Sequence, residues 1–271
     1  MRVGVNGIEI DYRIDGVSLE AAADHDGPPW LTLVTGIAND AGMWDGHVAE
    51  LARTCRVLRF DTRGMGGSRS TPPPYSLEFL IADLVGLWEA LGIRRSALAG
   101  LGLGGCVAIG TALAHPDRVS ALVPISCRAD LVPEYEAIWP PLIKAVKARG
   151  IEAIVEPTLE RWFSPDFRAA NPALADKMRM MIRRASADGY LGCVAALLGL
   201  NYGPRLSRLA MPVLFVSGEY DRVGAPAYVM QSMADRVPGA RHVVLPRATH
   251  ISVVCNPQAF LLALADFLPK R

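Results

Sequence analysis

Three short segments of this chain carry residues whose types and order suit acyl chemistry. They are Gly100-Leu-Gly-Leu-Gly104 with Gly105 behind it, Gly218-Glu-Tyr-Asp221, and Arg247-Ala-Thr-His250. The first has the form G-x-S-x-G, a strand-to-helix turn that lifts a nucleophilic serine above a sheet, but Gly102 stands at the serine's place. The central residue of such a turn sits at positive φ, which glycine adopts without strain. The backbone should therefore form readily while offering no nucleophile. Asp221 would hold an imidazole in one tautomer and stabilise its charged form. His250 would act as general base or acid near neutral pH. A fourth segment, Thr35-Gly36-Ile37, is placed to aim the Ile37 N–H, with that of Leu103, at a developing oxyanion. Those donors are main-chain, so they do not depend on the residue at 102.

The elements that must position these groups can be read along the chain. Arg2 to Val5 and Ile8 to Ile14 alternate in polarity around Asn6-Gly7, a hairpin turn signal. Residues 15 to 29 read as a loop. Trp30 to Val34, Arg56 to Phe60, Ser96 to Leu101 and Val119 to Ser126 are apolar runs of strand length. Helical spacing spans Met43 to Ala52 and Leu77 to Leu91, with Gly92 as a stop; Gly102 to Gly105 reads as a turn before a helix over Cys106 to Ala114. This alternation predicts βαβ units in a mostly parallel, doubly wound α/β sheet covered on both faces. From Cys127 to Arg208 the pattern turns helical, divided by Pro133, Pro140-Pro141, Pro157 and Pro172, and predicts an inserted helical cap. The core resumes with a strand over Pro212 to Val216, a helix near Ala227 to Val237, a strand at His242 to Leu245 and a helix over Pro257 to Leu268. The expected organisation is a core over 1–127 and 209–271 interrupted by a cap over 128–208. All three chemistry-bearing segments then follow strands of one sheet, where ligands bind.

Composition narrows the function classes. The chain has 271 residues, is 51% apolar and carries a net charge of +1, enough for a large core and without a basic stripe for nucleic acid or a membrane surface. The five cysteines (Cys55, Cys106, Cys127, Cys193, Cys255) are scattered without C-x-x-C spacing, which argues against a disulfide framework or a zinc site and suits a reducing cytoplasm. No signal peptide or membrane span is expected. A small molecule is the expected partner, and the sequence selects neither a monomer nor a homo-oligomer.

Taken together, the segments make the chain resemble the 3-oxoadipate enol-lactonases and their close relatives among the α/β-hydrolases. The resemblance covers nearly the whole chain. It rests on Gly36-Ile-Ala-Asn-Asp-Ala-Gly-Met-Trp44, Arg56-Val-Leu-Arg-Phe-Asp-Thr-Arg-Gly-Met-Gly-Gly-Ser68 and Gly100-Leu-Gly-Leu-Gly-Gly105 in the first half. Arg161-Trp-Phe-Ser-Pro-Asp-Phe-Arg168, Asp188-Gly-Tyr190, Pro238-Gly-Ala-Arg241, His250-Ile-Ser252 and Asn256-Pro257 continue it. The resemblance implies that Asp221 and His250 are the acid and base, that Gly102 replaces the family's serine, and that ester-like bonds are hydrolysed without metal or cofactor. Cys255 stands where relatives often carry an acid. By resemblance, Trp139, Trp162, Arg128 and Arg161 are candidates for lining the pocket, where an arginine would suit a substrate carboxylate; a solvated surface is the competing reading.

Gly102 admits three explanations: an inactivating replacement of a serine, a natural enzyme working without a covalent step, or a non-catalytic binding protein. Inactivating replacements more often use alanine than glycine, which weighs against the first, and the presence of both His250 and Asp221 weighs against the third, so the second is preferred. In it, His250 activates a water above Gly102 that attacks a carbonyl held by the Ile37 and Leu103 amides. The same dyad could instead remove a substrate proton, giving a lyase, isomerase or cofactor-free oxygenase. Cys106 is read as core packing rather than a substitute nucleophile, and His47, His115 and His242 as surface or packing residues. Asp40 is read as a helix cap, Asp61-Thr-Arg63 as a salt-bridged brace for the turn, and Trp44 and Phe60 as core.

Overall fold

The computed structural model describes residues 1–16, 27–222 and 224–268. Most of the expected loop over 15–29 lies outside the described residues. Eight strands form one sheet: β1 (Arg2–Val5), β2 (Ile8–Asp15), β3 (Trp30–Val34), β4 (Arg56–Phe60), β5 (Ser96–Leu101), β6 (Val119–Ile125), β7 (Leu214–Gly218) and β8 (Arg241–Leu245), in the order β1-β2-β4-β3-β5-β6-β7-β8. The β1–β2 and β2–β4 pairs are antiparallel, and the remaining pairs parallel. From β3 the chain builds outward to β4, then returns past β3 to start β5 and build the other way. That reversal is the topological switch point, where a ligand crevice opens between the carboxyl ends of β3 and β5.

The sheet is flanked by helices α1 (Asp45–Leu51), α2 (Leu77–Ala90), α3 (Leu103–Ala114), α10 (Ala227–Ala234), α11 (Ser252–Cys255) and α12 (Pro257–Phe267). Between β6 and β7 run α4 (Pro133–Glu136), α5 (Trp139–Arg149), α6 (Val155–Trp162), α7 (Pro165–Ala170), α8 (Pro172–Arg184) and α9 (Ala187–Leu198), with short 3-10 turns and an isolated bridge from Asp130 to Asn201. Proline opens α4, α7, α8 and α12 near their first turns, where its missing N–H loses nothing.

β3, β4 and β5 are buried along their whole length, as expected of strands covered on both faces. The sequence expectation misplaces several boundaries, among them the end of α10, which stops at Ala234 rather than Val237. The helix after the glycine turn begins at Leu103 rather than Cys106. β7 runs two residues later than the apolar run. The helix at Met43 is preceded by a 3-10 turn over Ala41–Trp44, capped by Asp40, whose Oδ1 accepts the Gly42 N–H at 2.9 Å. Trp44 and Phe60 are core residues.

The brace over 61–63 divides its work. Arg63 makes two hydrogen bonds, of 2.7 and 2.8 Å, to Asp83 of α2, with side chains 0% and 3% exposed. Among the described residues Asp61 forms no such bridge; it accepts the N–H groups of Ala41 and Gly67, each at 2.7 Å. His47 is packing: it lies edge-on to the rings of Trp44 and Phe260, and its Nε2 donates to the Val253 carbonyl at 3.0 Å, tying α1 to α11.

Two outcomes follow from these contacts. Asp83→Ala leaves the Arg63 guanidinium buried without its partner and should cost about 3–5 kcal/mol, read from urea denaturation. Burial holds the His47 pKa below its ordinary 6.5. The unfolded chain therefore binds the extra proton first, and stability present above pH 6.5 is lost as the pH falls through the native value. Urea midpoints at several pH values should show this slope in the native protein and a shallower one in His47→Gln.

Candidate active site

The strand–helix contact at the glycine turn is very close. A Cβ on Gly100 would lie 2.2 Å from the Gly104 carbonyl oxygen, and one on Gly104 would lie 2.5 Å from that of Val34 on β3. Only glycine fits there, and the closeness forces a sharp turn at Gly102, with φ 56° and ψ −117°. An ideal Cβ built on Gly102 points into open space. Among the described residues, chain neighbours apart, the one atom it meets within 4 Å is His250 Nε2, at 3.8 Å.

His250 reaches this position from the loop after β8. Its Nδ1 lies 2.9 Å from Asp221 Oδ2, with side chains 15% and 0% exposed. An ionised carboxylate only accepts, so Nδ1 carries the proton and the Nε2 lone pair faces the gap over Gly102. Asp221 is itself held by the N–H groups of Gly224 at 3.1 Å and Ala225 at 3.3 Å.

The gap is a cavity of about 40 Å³, lined by Gly36, Ile37, Asn39, Gly102, Leu103 and His250 from the core and by Arg128, Trp139, Arg161 and Trp162 from the segment between β6 and β7. Leu103 opens α3, so its N–H has no partner within the helix. Ile37 lies in the turn after β3, where the Asn39 N–H bonds the Gly36 carbonyl at 3.3 Å and Ala38 is held at φ 59°. Ser126, after β6, also has positive φ, 44°. Left-handed backbone thus follows three adjacent strands at the cavity's edge, a pattern that accompanies functional sites. Among the described residues no cluster of three or more His, Cys, Asp or Glu could hold a metal ion, and no helix is long and apolar enough to cross a membrane.

A family model described as the alpha/beta hydrolase fold matches residues 29–257. The chain belongs to the α/β-hydrolase fold family. Within it, 3-oxoadipate enol-lactonase 2 of Acinetobacter baylyi is 29% identical, with 86% of this chain and 85% of that protein covered. A putative carbamate hydrolase, RutD, of Pseudomonas savastanoi is likewise 29% identical, over 90% of this chain and 95% of its own. The crystal structure of the enol-lactonase from Burkholderia xenovorans superposes with a TM-score of 0.93 at 31% identity, covering 100% of both chains.

Within this α/β-hydrolase, the sequence-predicted site residues meet around one cavity, but two differ in detail from expectation. Arg128 is already engaged: its Nε donates to the Gly224 carbonyl at 2.6 Å, and its guanidinium lies over the Tyr135 ring. Through Nε it braces the His250 surroundings. Cys106 is buried, with Sγ bonding the Arg128 carbonyl at 3.4 Å, yet it also forms part of the cavity wall. Hydrogen bonding to Cys106, together with burial, pushes the neighbouring Cys127 thiol well up. His242 lies elsewhere, between Ser217 Oγ at 2.8 Å and Gln231 Oε1 at 2.9 Å.

Sequence reasoning misses three contributors. Asn39 lies inside a segment that carries the resemblance, but nothing in its spacing marks a role. Thr249 donates to the Trp162 carbonyl at 2.6 Å, joining the His250 loop to α6. At Gly224 a Cβ would lie 2.1 Å from His250 Cε1 and 2.4 Å from Nδ1, so the imidazole rests directly on main chain. The only sequence signal for Gly224 is a glycine three residues after Asp221.

Gly224→Ala should therefore expel His250 from its seat. The expected readout is loss of the downfield proton resonance of the Asp221-bound Nδ1–H, with the far-ultraviolet circular dichroism unchanged.

Proposed function

We propose that this protein hydrolyses a small ester, lactone or carbamate-type compound, with a water activated by His250 as the nucleophile. The observation that carries the reading is that His250 Nε2, oriented by Asp221, faces open space above Gly102. The cavity is large enough for water, which occupies sites of about 10–15 Å³ by this measure. The activities named for the relatives, an enol-lactonase and a putative carbamate hydrolase, support an acyl substrate.

The steps follow from the residues in place. Water gives a proton to Nε2 as its oxygen bonds the substrate carbonyl carbon. The negative charge that develops on the carbonyl oxygen is taken up by the N–H groups of Ile37 and Leu103. Asp221 stabilises the imidazolium meanwhile. The bond to the leaving oxygen or nitrogen then breaks, and that atom takes the proton from Nε2. No acyl-enzyme forms. A free water is less well positioned than a tethered hydroxyl, so the substrate must be reactive or tightly oriented.

One observation favours a second reading, in which the chain is a serine hydrolase that has lost its nucleophile. The Cβ vector at Gly102 points at Nε2 with no collision, so the turn would seat a serine. Assay of the native protein, Gly102→Ser and His250→Ala on an aryl acetate and an enol-lactone separates the two. The water mechanism expects native turnover to fall about 10²–10⁴-fold in His250→Ala, with no acyl adduct in the intact mass. An adduct in Gly102→Ser alongside an inert native protein would establish the second reading. Native turnover indifferent to His250→Ala would remove the first.

A further inference from the structure

Asn39 is 1% exposed, and among the described residues neither its Nδ2 nor its Oδ1 has a hydrogen-bond partner. Trp139 Nε1 is buried in the same unpartnered state, as is Nε of Arg161, whose guanidinium otherwise lies over the Trp139 ring and interacts with the Tyr190 hydroxyl. All three residues line the cavity that holds Gly102 and His250. A buried polar group without a partner loses its hydration and gains nothing in return; among the described residues the other buried orphan atoms are scattered singly over Trp44, His47, Thr158, Arg168, Tyr190 and Tyr202, none of which lines this cavity. Three at one cavity mark the outline of a missing partner.

The outline has a composition. Trp139 Nε1 and Arg161 Nε can only donate, and Nδ2 of Asn39 donates too. Oδ1 of Asn39 is the one acceptor of the set. Turning the amide over exchanges its two ends but leaves the count of donors and acceptors unchanged. A plain ester or lactone would satisfy the donors and leave Oδ1 unmet. A group with an N–H attached to its carbonyl would satisfy both ends of the amide. We infer that Asn39 is a specificity-determining residue, and that the cavity selects small acyl compounds bearing an N–H on the carbonyl, carbamates foremost. The strained turn at Ala38 is what sets Asn39 here, one residue beyond it and two beyond Ile37. The inference deepens the proposed hydrolysis by naming its substrate class, but binding selectivity can be read without turnover.

The test uses ethyl carbamate and ethyl acetate, which differ by NH2 against CH3 at nearly equal size. Their binding to the native protein is measured by ligand-observed NMR titration, and repeated with Asn39→Leu, which keeps the side chain's heavy-atom count and branching without polar atoms. The expected result is a preference for the carbamate of about tenfold or more in the native protein, lost in the variant. Asn39→Leu should also be at least as resistant to urea as the native chain, whereas a purely structural amide would make it weaker. Equal binding of the two ligands by the native protein overturns the inference, as it would if a lodged water already satisfied the amide. Survival of the preference in Asn39→Leu overturns it as well. Turnover with equal binding refutes this inference while the hydrolytic reading stands; selective binding without turnover supports it and removes that reading.

Discussion

The site depends first on how closely β5, α3 and β3 approach one another. Gly100 and Gly104 have no room for a side chain, because carbonyl oxygens of Gly104 and of Val34 occupy the space a Cβ would take. This contact sets the reversal angle at Gly102, and with it the direction of everything that follows. It brings the first N–H of α3 beside the turn that carries Ile37. It also leaves an opening at the sheet's switch point instead of a filled core. Any larger residue at either glycine would move the helix and dissolve the arrangement before any chemistry was altered.

A second layer holds the imidazole. His250 has Asp221 on one ring nitrogen, bare main chain at Gly224 beneath it, and open space beyond the other nitrogen. Asp221 in turn accepts main-chain N–H groups from the loop containing Gly224. One short loop therefore orients the carboxylate and supplies the floor for the ring it serves. Arg128 closes the circuit by bonding the Gly224 carbonyl.

Much of this is legible in the amino-acid sequence. Strand positions are clear because β3, β4 and β5 are short apolar runs bounded by turn residues, and burial on both faces leaves few other sequences available. His250, Asp221 and Gly102 are legible because each follows a strand in a fixed chain order. The start of α3 is misjudged because glycines at 104 and 105 look like a turn, whereas here they serve helix–strand contact. The roles of Arg128 and Asn39 are not legible, since each depends on what lies across the cavity from it. Nor can spacing reveal that Asp61 holds amides while Arg63 alone makes the bridge, because both assignments satisfy the same Asp-Thr-Arg string.

The bond from Thr249 to the Trp162 carbonyl has a mechanical meaning. Trp162 ends α6 and walls the cavity, while Thr249 is covalently joined to His250. The cavity lies between Trp162 and His250. The end of α6 is thereby tied to the loop that carries the imidazole. The wall of the cavity and the seat of the imidazole are thus fixed to one another through a single hydrogen bond, so the position of one sets the position of the other.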